Sequence, residues 1–189
     1  MSVRTKNIVF ALAVASVAAA CTTTDNRPSD AAAKRQSIDA DVSAALTKLY
    51  AQAPGSRELV AKAQGVLVFP SVVSAGFIVG ASYGQGELLK GTRSAGYYST
   101  TAGSVGLLAG ADSKAVFVLF MTKDAYDQFR SSQGWTAGVD ASVTLINMGA
   151  NGGVDTNTAQ AAVEGFVLNN GGLMANLSMD GTKFARLDI

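Results

Sequence analysis

Gly65-Val66-Leu67-Val68-Phe69-Pro70 marks the point at which the periodicity of this chain changes. Ahead of it, apolar residues recur at helical spacing. Ile38, Val42, Leu46, Leu49 and Ala53 fall on one stripe with Ala45 beside it, while Lys34, Asp41 and Lys48 lie off it. Ser29 or Asp30 can cap the start of this helix, and Pro54-Gly55 stops it. Ser56 caps a second, short helix to about Gln64, and Gly65 suits its end.

Behind the switch point the runs are short and strand-like. Val66 to Phe69 reads as a short buried run. Pieces at 77–83, 86–90, 95–100, 103–109 and 115–121 follow, most of them separated by turn-forming residues. Thr122 caps a third helix from Lys123 to about Gln133, with Tyr126 and Phe129 on one face. Strands resume at 135–147, 162–168, 173–179 and 183–187, and Asn169-Asn170-Gly171-Gly172 and Asp180-Gly181 suit hairpin turns. Strands that follow one another without helices between them pair mostly antiparallel. The expected fold is therefore α+β and β-rich. It is a strongly curved or barrel-like, mainly antiparallel sheet with about three helices, the N-terminal amphipathic helix packed on it.

Many glycines fall inside strand patterns: Gly76, Gly80, Gly84 and Gly86 in one region, Gly103, Gly106 and Gly110 in another. Glycine weakens a strand unless a bend or a close backbone approach requires it, which a tightly curved sheet supplies.

The first residues belong to a different kind of segment. Arg4 and Lys6 precede an apolar run from Ile8 to Ala20, broken only by Ser16 and ending in Ala18-Ala19-Ala20. That is the layout of a secretory signal, too short for a transmembrane helix of about 20 residues. Cys21, the only cysteine, follows directly. Val17-Ala18-Ala19-Ala20-Cys21 resembles a lipobox, with Ala18 where leucine is usual. Cys21 is thus the expected lipidation site, since a thiolate is the nucleophile such a transfer needs. The expected organisation is a signal peptide over 1–20, a lipidated tether over 21–30 and one domain over 31–189. The expected location is outside the inner membrane, lipid-anchored at the outer membrane on its periplasmic face or at the cell surface; Thr22 after the cysteine fits that sorting.

The chain holds 15 Lys and Arg against 14 Asp and Glu, and no histidine. Nucleic acid is not an expected partner, since no global basic field exists. Without histidine there is no Ser-His-Asp or Cys-His catalysis and no His-ligated zinc. Glu87 and Glu164 are isolated, and each is expected on a solvated strand face. Asp155 with Asn151 and Asn157 lacks the ligand series of an EF-hand and reads as turn chemistry. Gly84-Gln85-Gly86 begins like a dinucleotide fingerprint, but Leu89 breaks it. No enzyme, cofactor or metal is expected.

Basic residues remain as candidates for contact with lipid. Lys34, Arg35 and Lys48 lie on the first helix, Lys62 on the second, and Lys90 and Arg93 bracket a turn. Each basic residue near an anionic bilayer contributes about 1 kcal/mol. The plainer reading is a set of solvating charges near acidic neighbours such as Asp39, Asp41 and Glu58.

Several stretches together resemble the SYLF domain. They are 61–70, running from Ala61-Lys62-Ala63-Gln64-Gly65 to Pro70, then Ala75-Gly76-Phe77 and 80–86. Further on come 105–111, Val118-Leu119-Phe120-Met121-Thr122, Gly171-Gly172-Leu173-Met174-Ala175 and Asp180-Gly181-Thr182-Lys183. The likeness spans roughly 37–189. Eukaryotic members of that family bind phosphoinositide-containing membranes, and some bind actin. The resemblance therefore implies a lipid-binding module with membrane phospholipids as partners, working through an amphipathic helix and basic residues. An envelope protein exported by a bacterium would not meet actin or phosphoinositides in its own cell. The expected function is that of a membrane-anchored lipoprotein binding anionic or phosphoinositide-like headgroups. The alternative is a structural or protein-interaction lipoprotein, such as an exposed antigen, with no small ligand. A transmembrane barrel fits less well, because 115–121 is apolar on both faces and lacks the alternation of a lipid-facing strand.

Overall fold

The computed structural model describes residues 28–76, 79–105, 110–146, 161–174 and 177–189. The signal segment, Cys21, Gly106 and the Asp155 loop lie outside them. Helix α1 runs Pro28–Gln52, α2 Ser56–Lys62 and α3 Lys123–Ser131. Proline suits a first helical position because its missing N–H would have no partner there, so residues 28–30 of the segment read as tether are already helical. The Thr122 hydroxyl accepts from the Ala125 N–H and caps α3, as the sequence led one to expect.

The strands are β1 Gly65–Gly76, β2 Val79–Lys90, β3 Arg93–Val105, β4 Gly110–Phe120, β5 Gly134–Thr136, β6 Thr144–Leu145, β7 Val163–Asn169, β8 Gly172–Leu173 and β9 Lys183–Leu187. Among the described residues they form one strongly curled half-barrel in the order β5-β9-β3-β2-β1-β4-β7-β6, with β8 pairing to β7. Pairing is antiparallel except where β6 runs parallel to β7. The expected α+β fold with a curved sheet and an N-terminal helix packed on it is what the chain adopts.

Local differences from the sequence reading have simple causes. The piece at 86–90 belongs to a longer strand because Gly84 is a strand residue and not a turn, and the piece at 95–100 is part of β3, which runs on to both sides of it. A Cβ on Gly86 would lie 2.0 Å from the Val68 carbonyl oxygen, so the close approach of β1 and not a turn demands glycine there. The strand expected over 135–147 is, among the described residues, strand only at 135–136 and 144–145. Between them Gly138, at φ 82°, turns the chain, and the Asp140 carboxylate accepts from the Thr136 N–H at 2.6 Å. Within 173–179 only Leu173 is in a strand among the described residues.

The sheet is covered on both sides. On one face Val66, Val68, Phe117, Leu119, Phe166 and Leu168 pack under Ile38, Val42, Ala45 and Leu49 of α1. On the inner face Leu67, Phe69, Val118 and Phe120 pack with Tyr126 and Phe129 of α3, Trp135 of β5 and Phe184 of β9. Burial on both faces makes continuous apolar runs of 65–69 and 116–120 rather than alternating ones. β1 shifts register against both neighbours between Val68 and Val72. Pro70, which has no N–H to give a ladder, sits inside that shift. The shift divides the sheet into a closed half, from Gly65 to Phe69 and their partners, and an open half, from Ser71 to Gly76 and theirs.

Candidate functional site

The six cations picked out in the sequence do not form one patch in the fold. On α1, Arg35 donates from Nη1 to the Ile189 carbonyl at 2.5 Å and Lys48 donates to the Asn169 carbonyl at 3.2 Å. Both therefore tie the helix to later parts of the chain. Lys34 is exposed and lines a shallow groove with Ile38, Val73 and Tyr83 over the open half. Lys62 pairs with Glu58 at 2.7 Å on an exposed helix surface, where water screens the contact and leaves it little weight.

Lys90 and Arg93 do come together, and the fold adds a residue the sequence reading missed. Cross-strand pairing sets Lys90 opposite Arg93 at the β2–β3 turn, where Gly91 takes φ 62°. Helix α3 starts from the adjacent end of β4 and brings Arg130 to the same place. Lys90, Arg93 and Arg130 line one groove with Tyr126 at its base. The Lys90 Nζ stands 5.2 Å and the Arg130 Cζ 5.8 Å from the Tyr126 ring centre, within cation–π range. The carboxyl of Asp127, next to Tyr126 in sequence, is held below its usual range, first by a hydrogen bond from Lys123, with Lys90 and Arg130 adding to the pull. Asp127 is thus engaged by Lys123, and the groove presents its cations above the Tyr126 ring. Arg130 could have been suspected from the Tyr126–Arg130 spacing, since residues four apart share a helix face; its meeting with Lys90 is tertiary.

Glu87 and Glu164 correct the sequence reading. Neither lies on a solvated face: Glu87 is 4% exposed and Glu164 fully buried. Each projects from the sheet face that α1 covers, which an alternating strand pattern cannot reveal. Burial pushes the Glu87 carboxyl up, a Ser94 hydrogen bond draws it back, and Asp39 of α1 raises it again. The Tyr97 hydroxyl donates to the same Asp39 at 2.9 Å, a polar clasp between α1 and β3. Glu164 is raised by burial, only partly offset by the Ala161 backbone, and neither of its carboxylate oxygens has a hydrogen-bond partner of full geometry.

Among the described residues no group of three or more Asp, Glu, Cys or His gathers as a metal site, and no helix is long and apolar enough to cross a membrane. Fold and groove together define an α+β half-barrel domain with a cationic groove at its closed end. The model of the family described as Ysc84, Las17-binding protein actin regulator, matches residues 101–188. Over that segment the chain is similar to this family, in line with the likeness its SYLF-like motifs carry. No curated protein matches the chain. The matched segment contains α3 and Arg130 but none of the basic residues picked out in the sequence, which all precede it.

Proposed function

We propose that this chain is a membrane-anchored, non-enzymatic lipoprotein whose domain binds anionic phospholipid headgroups. The observation that carries the reading is the convergence of Lys90, Arg93 and Arg130 on one groove. Phosphate-bearing headgroups suit it, because guanidinium pairs bidentately with phosphate and ammonium acts as a point charge. Lys34 extends the positive surface at the other end of the sheet. The family's description, which speaks of an actin regulator, does not name lipid; lipid binding here rests on the motifs and the groove. Cys21 carries the anchor and the domain stays outside the inner membrane, at the outer membrane. An acylated cysteine would hold the domain within reach of headgroups, where several weak cationic contacts suffice.

The test is vesicle sedimentation of the full chain carrying C21S, so that no acyl group is attached. Binding is expected to vesicles containing phosphatidylglycerol and to fall with salt. Replacing Lys90, Arg93 and Arg130 together by Gln should weaken it about a hundredfold, at roughly 1 kcal/mol per charge. Equal binding to neutral vesicles, or none to anionic ones at low salt, would sink the headgroup reading. Labelling cells with a tagged fatty acid tests the anchor: label on the wild type and none on C21S is expected.

One observation favours a second reading, a protein-interaction role. Val73, Val79 and Tyr83 are 49%, 70% and 50% exposed on the α1 side of the open half. Crosslinking from Tyr83 in cells to one dominant protein, with no vesicle binding, would select it.

A further inference from the structure

The inner face of the sheet changes character along its length. In the closed half Phe69, Phe120, Phe129, Trp135 and Phe184 fill it, with ring centres 4.7 to 6.5 Å apart. Past the register shift the same face carries Ser74, Ser82, Thr100 and Ala102, none large enough to reach across. A cavity of about 320 Å³ remains. Its floor is Val72, Val116 and Val167, and its roof is Met174, Leu177 and Met179 from the segment before β9. That is about twice the roughly 150 Å³ apolar cavity that takes a benzene ring, and it lies at the lower end of ordinary ligand pockets.

We propose that this cavity is a binding site for a single-chain amphiphile, an aliphatic carboxylate with a tail on the order of ten carbons. The order of residues along β4 sets its direction. Asp112, Lys114 and Val116 share the inner face, running from the mouth to the floor. Asp112 is exposed, Lys114 half-buried and Val116 buried. A cation therefore stands at the boundary between water and the apolar floor, where the head of an inserted chain would lie, and a carboxylate there accepts a charge-assisted hydrogen bond. Asp112 and Asp180 at the rim face solvent.

The roof can admit such a chain. Among the described residues between Leu173 and Lys183 it is tied near its ends, by Met174 N–H to the Val167 carbonyl and Gly181 N–H to the Ala137 carbonyl, at 2.8 and 2.9 Å. Between those points the hydrogen bonds of the described residues are local, such as Asp180 N–H to the Ser178 hydroxyl at 3.1 Å. Methionine side chains in the roof adjust to varied shapes more easily than branched ones. The cavity is separate from the headgroup groove, which lies at the opposite end of the same strands, and the proposal does not depend on that groove.

Calorimetric titration of the C21S full chain with saturated carboxylic acids of six to sixteen carbons, each below its micelle concentration, tests the proposal. Affinity should rise about fourfold per methylene until the cavity is full, near ten to twelve carbons, and then level off. Ala102→Phe should abolish binding while the melting temperature holds or rises. If that variant does not fold, Ser82→Leu serves the same purpose. Lys114→Gln should weaken the carboxylates about tenfold and leave the matching alkanols unchanged. The K90Q/R93Q/R130Q chain should bind carboxylic acids like the parent, and Ala102→Phe should sediment with vesicles like the parent. The proposal is overturned if the parent chain shows no saturable binding at any length, if affinity climbs to sixteen carbons without levelling, or if a folded cavity-filling variant binds undiminished.

Discussion

Between Gly65 and Phe69 every residue of β1 is buried, whereas between Ser71 and Gly76 only Val72 is. The same strand, with the same two neighbours, is thus core at one end and surface at the other. The difference comes from what lies above and below it. In the closed half α1 covers one face and the cluster around α3 covers the other. In the open half the α1 side leaves Val73 and Tyr83 half exposed and the inner side is hollow. Stability is concentrated where both faces are filled, and the capacity to take a ligand lies where they are not. Functional regions are commonly drawn from the less stable parts of a fold.

The strongest way to break that comparison is to hollow the closed half. Phe120 is fully buried and packs on Tyr126, Phe129 and Trp135. Phe120→Ala should cost about 3–5 kcal/mol, read by urea denaturation followed through Trp135 fluorescence. A loss under about 1 kcal/mol would mean the aromatic cluster is not what holds the closed half together.

Two glycines sharpen the same contrast. A side chain on Gly86 would collide with the Val68 carbonyl, while a Cβ on Gly103 would meet nothing within 4 Å. Gly86→Ala should therefore cost about 1–3 kcal/mol or more. Gly103→Ala should be neutral or stabilising by up to about 1 kcal/mol, because it restricts the unfolded chain.

Glu164 tests whether the closed half is dry. Its folded carboxyl lies above the ordinary value of 4.5, because burial disfavours the charge. The stability tied to its neutral form is then fully present below the unfolded value and lost as pH rises through the raised folded one. Glu164→Met should stabilise the protein by about 1–3 kcal/mol at neutral pH. The gain should shrink to nearly nothing toward pH 4, where the wild-type carboxyl is neutral. Glu87, shifted the same way, stays in both proteins and leaves some slope in the variant. A gain that is equal at pH 4 and pH 7 would show that Glu164 is not buried as an acid.

How much of this was legible beforehand follows the same division. The stripe Ile38, Val42, Ala45, Leu49 could be read because a helix packed on one side has one apolar face. The capping Thr122 and the continuous apolar run of β4 were equally local signals. What could not be read was which strand residues α1 would cover. Glu87 and Glu164 look like solvated positions until the helix lies over them. The groove was half legible: Lys90 and Arg93 bracket a turn, but Arg130 joins them only because β4 and α3 end beside it. The cavity left no motif, since it is defined by small residues spread over several strands and a roof distant in sequence.

The smallest expected effect is the most exacting test of the open half. Val73 and Tyr83 are directly opposite each other on β1 and β2, and the Tyr83 hydroxyl accepts from Gln85 at 2.7 Å. Both are half exposed, so most of their surface already meets water in the folded state. Tyr83→Ser should then lose only the cross-strand contact and part of one side chain's packing, about 0.5 kcal/mol. The same denaturation assay measures it. A cost above about 2 kcal/mol would place Tyr83 among buried aromatic residues and not surface ones. That outcome would mean another part of the full chain covers this face, and it would remove both the groove beside Lys34 and the exposed patch as contact surfaces. A small cost leaves them available, and sets the open half apart from the closed one by energy as well as by shape.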